Sequence, residues 1–173
     1  TFKEKLVLKS ADKKVELIYL GPEGHTDNSI AVRFPDEGIL FVVDIVGVDR
    51  TPHRYIGSNK LENVNDIDPL IDTLDRVEAM DFDMLVPGHL EPGSVSDVRV
   101  TRNYLLELRK QVLTLISAGL TKTEILDKVD MSAFRYLQFY DSNFPANIEA
   151  MHYWLLKQST HDREIAFAVL GKK

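Results

Sequence analysis

The sequence predicts an α+β fold, because strand-like segments dominate the first half of the chain and helical segments dominate the second. Its 173 residues suit one compact unit, and an apolar content of 44% is sufficient for a sizeable core. Four predicted strands follow one another before the first helix, which is typical of a mostly antiparallel meander. A fifth, short strand then lies between two predicted helices.

Each strand is indicated by alternation or by a short apolar run that ends at turn residues. The first alternates, the second stops at Gly21-Pro22, and the third and fourth are joined by the turn PDEG to form a hairpin. The predicted strands cover residues 5–9, 15–20, 29–34, 38–46 and 83–87. Because LFVV is apolar at every position and LIYL nearly so, we expect both faces of the sheet to be covered. The helices of this chain can cover one face only.

The helices are predicted from apolar stripes and from residues that start or stop helices. Asp66 is a plausible N-cap for the first helix, and Gly119 is a C-cap signal for the second. A Thr121-x-x-Glu124 capping box opens the third, and Pro145 begins the last. The predicted helices cover residues 66–80, 96–119, 121–129 and 145–158, with a long loop over 47–65.

The composition argues against some classes of partner. A net charge of −6, without a basic stripe, argues against a protein that binds nucleic acid through phosphate contacts. No apolar run approaches the roughly 18 residues of a membrane helix. The chain contains no cysteine, which excludes disulfides and thiolate ligands and is compatible with either cytoplasm or periplasm.

Three residues that can bind a metal lie at predicted strand ends. His25 follows the second strand, Asp44 lies at the far end of the fourth, and His89 follows the fifth on a turn that is rich in proline and glycine. A carboxylate at the end of an apolar strand is unfavourable unless it is paired, hydrogen-bonded or bound to a cation. A metal ion held by one aspartate and two histidines at one sheet edge satisfies this requirement.

The segments GPEGHTDNS, LFVVDIV and LVPGHLEPG, in this order, resemble the later motifs of the metallo-β-lactamase superfamily. The resemblance implies an αββα sandwich and a hydrolase with two metal ions. It implies that Asp44 bridges both metals and that His25 and His89 each bind one. Because a metal-bound imidazole usually donates its other N–H to an acceptor, Asp27 is a candidate partner for His25. Zinc suits these ligands, and iron or manganese is also compatible with them.

This chain departs from the family pattern in several places. Val43 and Leu90 stand where glycines are usual, which affects loop shape and substrate choice. The His-x-His-x-Asp-His signature of the N-terminal half is absent, because the histidines at 25, 53, 89, 152 and 161 are too far apart to form it. We therefore expect residues 1–95 to correspond to the C-terminal half of such a domain and residues 96–173 to form a helical extension packed on it.

The absent signature and the uncovered sheet face predict the same missing segment. Since the chain starts at Thr1, we expect a processed protein, a shortened chain or a fragment. We expect the exposed sheet face to associate with the missing N-terminal half or with a second copy of the chain as a homo-oligomer. With only two protein ligands per metal, we expect this chain alone to bind metal weakly and to have little activity.

Three functions remain open at this stage. The first is part of a dinuclear metal-dependent hydrolase that directs water to a small-molecule ester, thioester, lactam or phosphoester, with Asp44 in the catalytic centre. The second is a binding or structural module that keeps the fold without a working site. The third is a nuclease of the same fold, which the negative charge disfavours.

Two further segments have alternative interpretations. His53, Arg54 and Tyr55 lie in the loop after Asp44 and either contact substrate or are solvated, and Arg50 shares this loop. The aromatic residues between 134 and 144 either fill the core between helices or line a substrate pocket.

Overall fold

The computed structural model describes residues 2–21, 26, 28–64 and 66–170, with side chains up to residue 158. The strands are β1 (Lys5–Ser10), β2 (Lys13–Gly21), β3 (Ser29–Phe34), β4 (Ile39–Val42) and β5 (Met84–Pro87). The helices are α1 (Ile67–Glu78), α2 (Val95–Ser117), α3 (Lys122–Lys128) and α4 (Tyr140–Leu170). Short 3-10 helices cover Leu61–Asn63, inside the predicted long loop, and Ser132–Phe134. The predicted α+β fold is confirmed.

The five strands form one sheet in chain order, β1-β2-β3-β4-β5. The first four pair antiparallel, as the meander predicts, whereas β4 and β5 pair in parallel. The crossover between these two strands contains α1, which is the usual way to join parallel neighbours. As a result β2, β4 and β5 run in the same direction, and their C-terminal ends lie at the same edge of the sheet.

One face of the sheet packs against the helices and forms the core. Ala31, Leu40 and Leu85 on this face are fully buried and belong to one cluster with Leu74 of α1 and Leu105 of α2. Salt bridges join the exposed sides of α1 and α2, and Arg109 also lies over the Trp154 ring of α4, 5.2 Å from its centroid. The helices therefore pack on the sheet and on one another around a shared core.

The other face of the sheet, called the open face below, is apolar but not buried. Strand register places twelve apolar side chains on it, none of which falls among the buried residues. They are Leu6, Leu8, Val15, Leu17, Tyr19, Ile30, Val32, Phe34, Ile39, Phe41, Met84 and Val86. An apolar surface that extends over all five strands is much larger than the scattered exposed apolar residues of an ordinary monomer.

The structure corrects three details of the predicted elements. The fourth strand ends at Val42 rather than at residue 46, so Asp44 lies in the turn after the strand, with φ of +62°. The last helix begins at Tyr140, and Pro145 lies inside it, where it removes a backbone hydrogen bond near the start without ending the helix. Asp66 precedes α1 but makes no capping bond, because its carboxylate accepts a hydrogen bond from Trp154 Nε1 at 2.9 Å.

Two other predicted helix-capping residues are confirmed. Thr121 and Glu124 form the predicted capping box, with the Glu124 carboxylate accepting from the Thr121 N–H at 2.8 Å. Gly119 follows the C-cap of α2 with φ of +79°, a conformation that favours glycine. Within the described part of the chain, no helix combines the length and the apolar character needed to cross a bilayer.

A buried carboxylate holds the outer strands together. Glu16 is 3% exposed and contacts Lys14 at 2.7 Å, Lys5 at 2.9 Å and Arg33 at 3.2 Å. The Lys14 and Lys5 ammonium groups, together with Arg33, lower the pKa of Glu16 to about 2 from 4.5. Because the folded pKa is lower than the unfolded one, the carboxylate stabilises the fold above about pH 4.5, and this stabilisation is lost as the pH falls towards 2.

We predict that Glu16→Gln lowers the free energy of unfolding near neutral pH by about 2 kcal/mol, because it leaves three cations without their shared carboxylate. The loss should shrink as the pH falls from 4.5 towards 2. Urea unfolding at several pH values measures this. Glu37→Gln is the control, because Glu37 pairs with Lys13 at the surface and should contribute less. An equal loss for both variants at neutral pH would contradict the prediction.

Candidate metal centre

The parallel pairing of β4 and β5 brings two predicted ligands together. Val42 and Pro87 are partners at the ends of these strands, and each predicted ligand follows two residues later. Asp44 and His89 therefore leave the same edge of the sheet side by side, and His89 Nε2 lies 3.4 Å from Asp44 Oδ1. The Asp44 side chain is 23% exposed, with its Oδ1 buried, whereas the His89 side chain is 70% exposed.

Backbone hydrogen bonds hold the turn that carries His89. Leu85 of β5 pairs with β4 on one side and with Gly93 on the other, through bonds of 2.8 and 2.9 Å to the Gly93 backbone. These two bonds hold together the ends of the segment between Leu85 and Gly93, which contains His89. Leu90, next to His89, has φ of +68°, a conformation in which the expected glycine would be less strained.

Gly88 allows the two ligand-bearing turns to approach closely. A Cβ at this position would lie 2.6 Å from Asp44 Oδ1 and 2.9 Å from Val43 Cγ1, both too short for ordinary contact. Any larger residue would displace the Asp44 carboxylate. The glycine before His89 is therefore required by the carboxylate beside it.

The distance between Asp44 and His89 fits two ligands of one metal ion. A hydrogen bond from an imidazole N–H to a carboxylate is commonly about 2.8 Å long. Two donors bound about 2.0–2.1 Å from one tetrahedral metal lie about 3.3 Å apart. The observed 3.4 Å is nearer the second value, and imidazole and carboxylate donors both suit zinc.

His25, the third predicted ligand, lies outside the described residues, as does Asp27. The topology nevertheless brings β2, the strand before His25, to the edge where Asp44 and His89 lie. Among the residues that the structure describes, no cluster of three or more histidine and carboxylate side chains could hold a metal ion. The three-ligand site therefore remains a prediction, and two of its members are adjacent.

The loop after Asp44, over residues 45–57, lines both a small cavity and a larger cleft next to it. A small cavity of about 70 Å³ lies between Asp44, His53 and Thr101 of α2, whose buried Oγ1 has no hydrogen-bond partner among the described residues. A larger cleft of about 490 Å³ opens beside it and shares Arg50, Thr51 and His53 with the cavity wall. Arg54 and Tyr55 line only this cleft, so all three predicted substrate residues lie on its surface.

Buried polar side chains of α4 hold this loop in place. Asn147 donates to the carbonyl oxygens of Pro52, at 3.3 Å, and of Arg54, and its Oδ1 accepts from the Tyr104 hydroxyl at 2.8 Å. Asn143 donates to Thr51 Oγ1 at 3.4 Å. Neither asparagine was predicted from the sequence. Their spacing could have revealed them, because two asparagines four residues apart on the buried side of a helix need polar partners elsewhere in the fold.

The aromatic segment contains core residues and one residue that lines the cleft, and its role in a substrate pocket stays a prediction. Tyr140 is buried and stacks on Phe144 at 4.8 Å between ring centroids, and Phe134 packs edge-on against Tyr104 at 5.3 Å. Phe139 is 54% exposed, has φ of +59° and lines the cleft beside Asn143. Positive φ in an aromatic residue is uncommon and occurs more often at functional sites.

Comparisons with solved structures show the same fold. The sec-alkylsulfatase Pisa1 of Pseudomonas sp. superimposes with a TM-score of 0.66 at 18% identity, over 88% of this chain and 25% of its own. A metallo-β-lactamase of Pontibacter korlensis superimposes with a TM-score of 0.52 at 21% identity, over 61% of this chain and 47% of its own. This chain has the metallo-β-lactamase fold. The resemblance in the three strand-end motifs is thereby confirmed at the level of fold.

A sequence comparison gives a related result. The linear primary-alkylsulfatase of Pseudomonas sp. (strain ATCC 19151) is 26% identical over 138 residues, which are 76% of this chain. No protein-family model matches the sequence. The chain spans about a quarter of the length of both alkylsulfatases. The proteins that it resembles are hydrolases.

We predict that Gly88→Ala weakens zinc binding about tenfold or more, because the added methyl group displaces the Asp44 carboxylate. Gly119→Ala is the control, because it strains a glycine at positive φ far from the site and has open space around its Cβ. Competition against a zinc-responsive dye measures both affinities. Equal affinity for Gly88→Ala and wild type would contradict the placement of Asp44 in the metal site.

Proposed function

We propose that this chain belongs to a metal-dependent hydrolase and carries part of its metal centre. The observation that supports this most directly is the convergence of Asp44 and His89 at one sheet edge within a metallo-β-lactamase fold. The proposed ligands are Asp44, His89 and His25, with zinc as the preferred metal and iron or manganese as alternatives. Asp44 is proposed to bridge two ions.

In such a centre a divalent ion acidifies water and stabilises developing negative charge. The residues of this chain orient the site around that chemistry. The half-buried Asp44 is held by the strand end and by the close approach of Gly88, so that its carboxylate is fixed before any ligand binds. His89 is exposed beside it and remains accessible from solvent.

The proposed reaction is hydrolysis of an ester-type bond in a small molecule. The similar proteins include alkylsulfatases. This similarity supports a sulfate ester, rather than a lactam or thioester, as the proposed substrate. Support from this chain comes from the loop after Asp44, whose His53, Arg54 and Tyr55 line a cleft large enough for a small substrate.

We further propose that this chain alone binds zinc weakly and hydrolyses little. Asp44 and His89 supply two donors, whereas a catalytic zinc usually has three protein ligands. We predict a dissociation constant of about 1 µM or weaker for the isolated chain, and at least tenfold weakening in Asp44→Asn and His89→Gln. Isothermal titration with zinc measures these values.

His152→Gln is the matched control, because this half-buried histidine lies on α4 away from Asp44. Tight, near-stoichiometric zinc on wild type would overturn the claim of weak binding. Unchanged affinity in both Asp44→Asn and His89→Gln would overturn the site itself and leave the fold as a binding or structural module.

We propose that a second β-sheet covers the open face, supplied by the remainder of a metallo-β-lactamase domain or, in its absence, by another copy of the chain. Support comes from the twelve apolar side chains of that face and from the comparison, in which the chain accounts for 47% of the Pontibacter korlensis enzyme. Burial of such a surface is the main driving force for association.

We predict that the isolated chain self-associates and that Val32→Lys with Phe41→Lys, at paired positions in the middle of the open face, reduces the association. Sedimentation velocity over a range of concentrations measures this. Leu113→Lys is the control, because Leu113 is 47% exposed on the helical side of the molecule. A wild-type chain that remains monomeric at every concentration would contradict the proposal.

A further inference from the structure

The cleft beside Asp44 contains two arginines, Arg50 and Arg54, whose side chains have no hydrogen-bond or ion-pair partner among the described residues. Every other arginine with a described side chain donates to a carboxylate or a carbonyl oxygen. These are Arg33, Arg76, Arg99, Arg102, Arg109 and Arg135. Arg50 and Arg54 make no such bond within the described residues, although the protein has a net charge of −6 and many acids.

The lining of the cleft is complementary to an anion. Its described walls contain Arg50 and Arg54 and no aspartate or glutamate. Ser142 and Asn143 also line it, with their side chains donating to the Phe139 carbonyl and to Thr51 Oγ1. Asp141, in the first turn of α4, pairs with Arg135 at 3.4 Å. Guanidinium groups bind tetrahedral oxyanions through paired, charge-assisted hydrogen bonds, which gives directional recognition as well as charge attraction.

The arginines are mounted on a rigid segment. The backbone between them is fixed by the bond from Asn147 to the Arg54 carbonyl, by the bond from the Thr51 N–H to the Gln138 carbonyl at 3.2 Å, and by Asn143 on Thr51. Asn147 is fully buried, and burial raises the pKa of its partner Tyr104, whose hydroxyl therefore remains a donor. Such buried polar networks orient binding groups before the ligand arrives.

We propose that Arg50 and Arg54 bind the oxyanion of a sulfate or phosphate monoester and place its ester bond next to Asp44. The shared Arg50–His53 wall joins the cleft to the cavity that contains Asp44, and exposed Phe139 offers an apolar surface for the organic part of the ester. This inference rests on the proposed hydrolase function for the role of the cleft, but anion binding itself requires no metal.

The test is a titration of the metal-free chain, kept in chelator, with 4-nitrophenyl sulfate, 4-nitrophenyl phosphate, 4-nitrobenzoate and neutral 4-nitrophenyl acetate at constant ionic strength. Arginine Nε–H resonances in ¹⁵N spectra report binding. We expect the Arg50 and Arg54 signals to shift with the sulfate or phosphate ester, with a dissociation constant on the order of 1 mM. The preferred ester distinguishes the two substrate classes.

Three variants make the result specific. Arg50→Gln and Arg54→Gln should each weaken binding about tenfold, whereas Arg135→Gln, an exposed and ion-paired arginine on the same side, should leave it unchanged. Asp44→Asn should retain anion binding while losing zinc, so failure of the metal centre and failure of the cleft are separable. Unaltered Arg50 and Arg54 signals, or equal shifts with the carboxylate or the neutral ester, would overturn the proposal.

Discussion

The parallel pairing of β4 with β5 is the constraint on which the candidate site depends. It aligns Val42 with Pro87, so that the chain leaves both strands at one edge and places Asp44 beside His89. Without a side chain at Gly88 the two turns can approach closely, and the Leu85–Gly93 bridge closes the second turn. The pair is thus positioned by backbone hydrogen bonds rather than by contacts between the two side chains alone.

Burial is one-sided because α1 and α2 pack on one face of the sheet, while α3 and α4 pack against the helices. Leu40, Val42 and Leu85 are fully buried on that face. Phe41, which lies between Leu40 and Val42 on β4, and its partner Val32 on β3 remain partly exposed on the open face. Side chains alternate between the two faces of a strand, so a nearly continuous apolar run such as LFVV supplies both. The sequence of the strand therefore indicates a second layer even though the chain builds only one.

Most of the fold could be predicted because its signals are local. Alternation, the PDEG turn, the Thr121 capping box and Gly119 each act within a few residues, and each is confirmed. The errors occurred where tertiary contacts override local preference. Asp66 has the composition of an N-cap, but its carboxylate binds Trp154, which is distant in sequence. Val43 to Val46 read as strand, but the chain turns at Asp44, where positive φ redirects the carboxylate towards His89.

The site was less predictable than the fold, since part of it is built by residues that carry no catalytic motif. Asp44 and His89 were predicted as ligands from their place after apolar runs, and the structure brings them together, whereas Asn143 and Asn147 look like ordinary helix residues until their partners in the loop are known. These partners also explain why the helices beyond residue 95 belong with the site. Thr101 of α2 lines the cavity next to Asp44, and Asn147 of α4 holds the loop that carries Arg50 and Arg54. The sheet edge positions Asp44 and His89, but the shape and charge of the space beside them come partly from the helical segment, so changes there should alter the cleft without moving this pair.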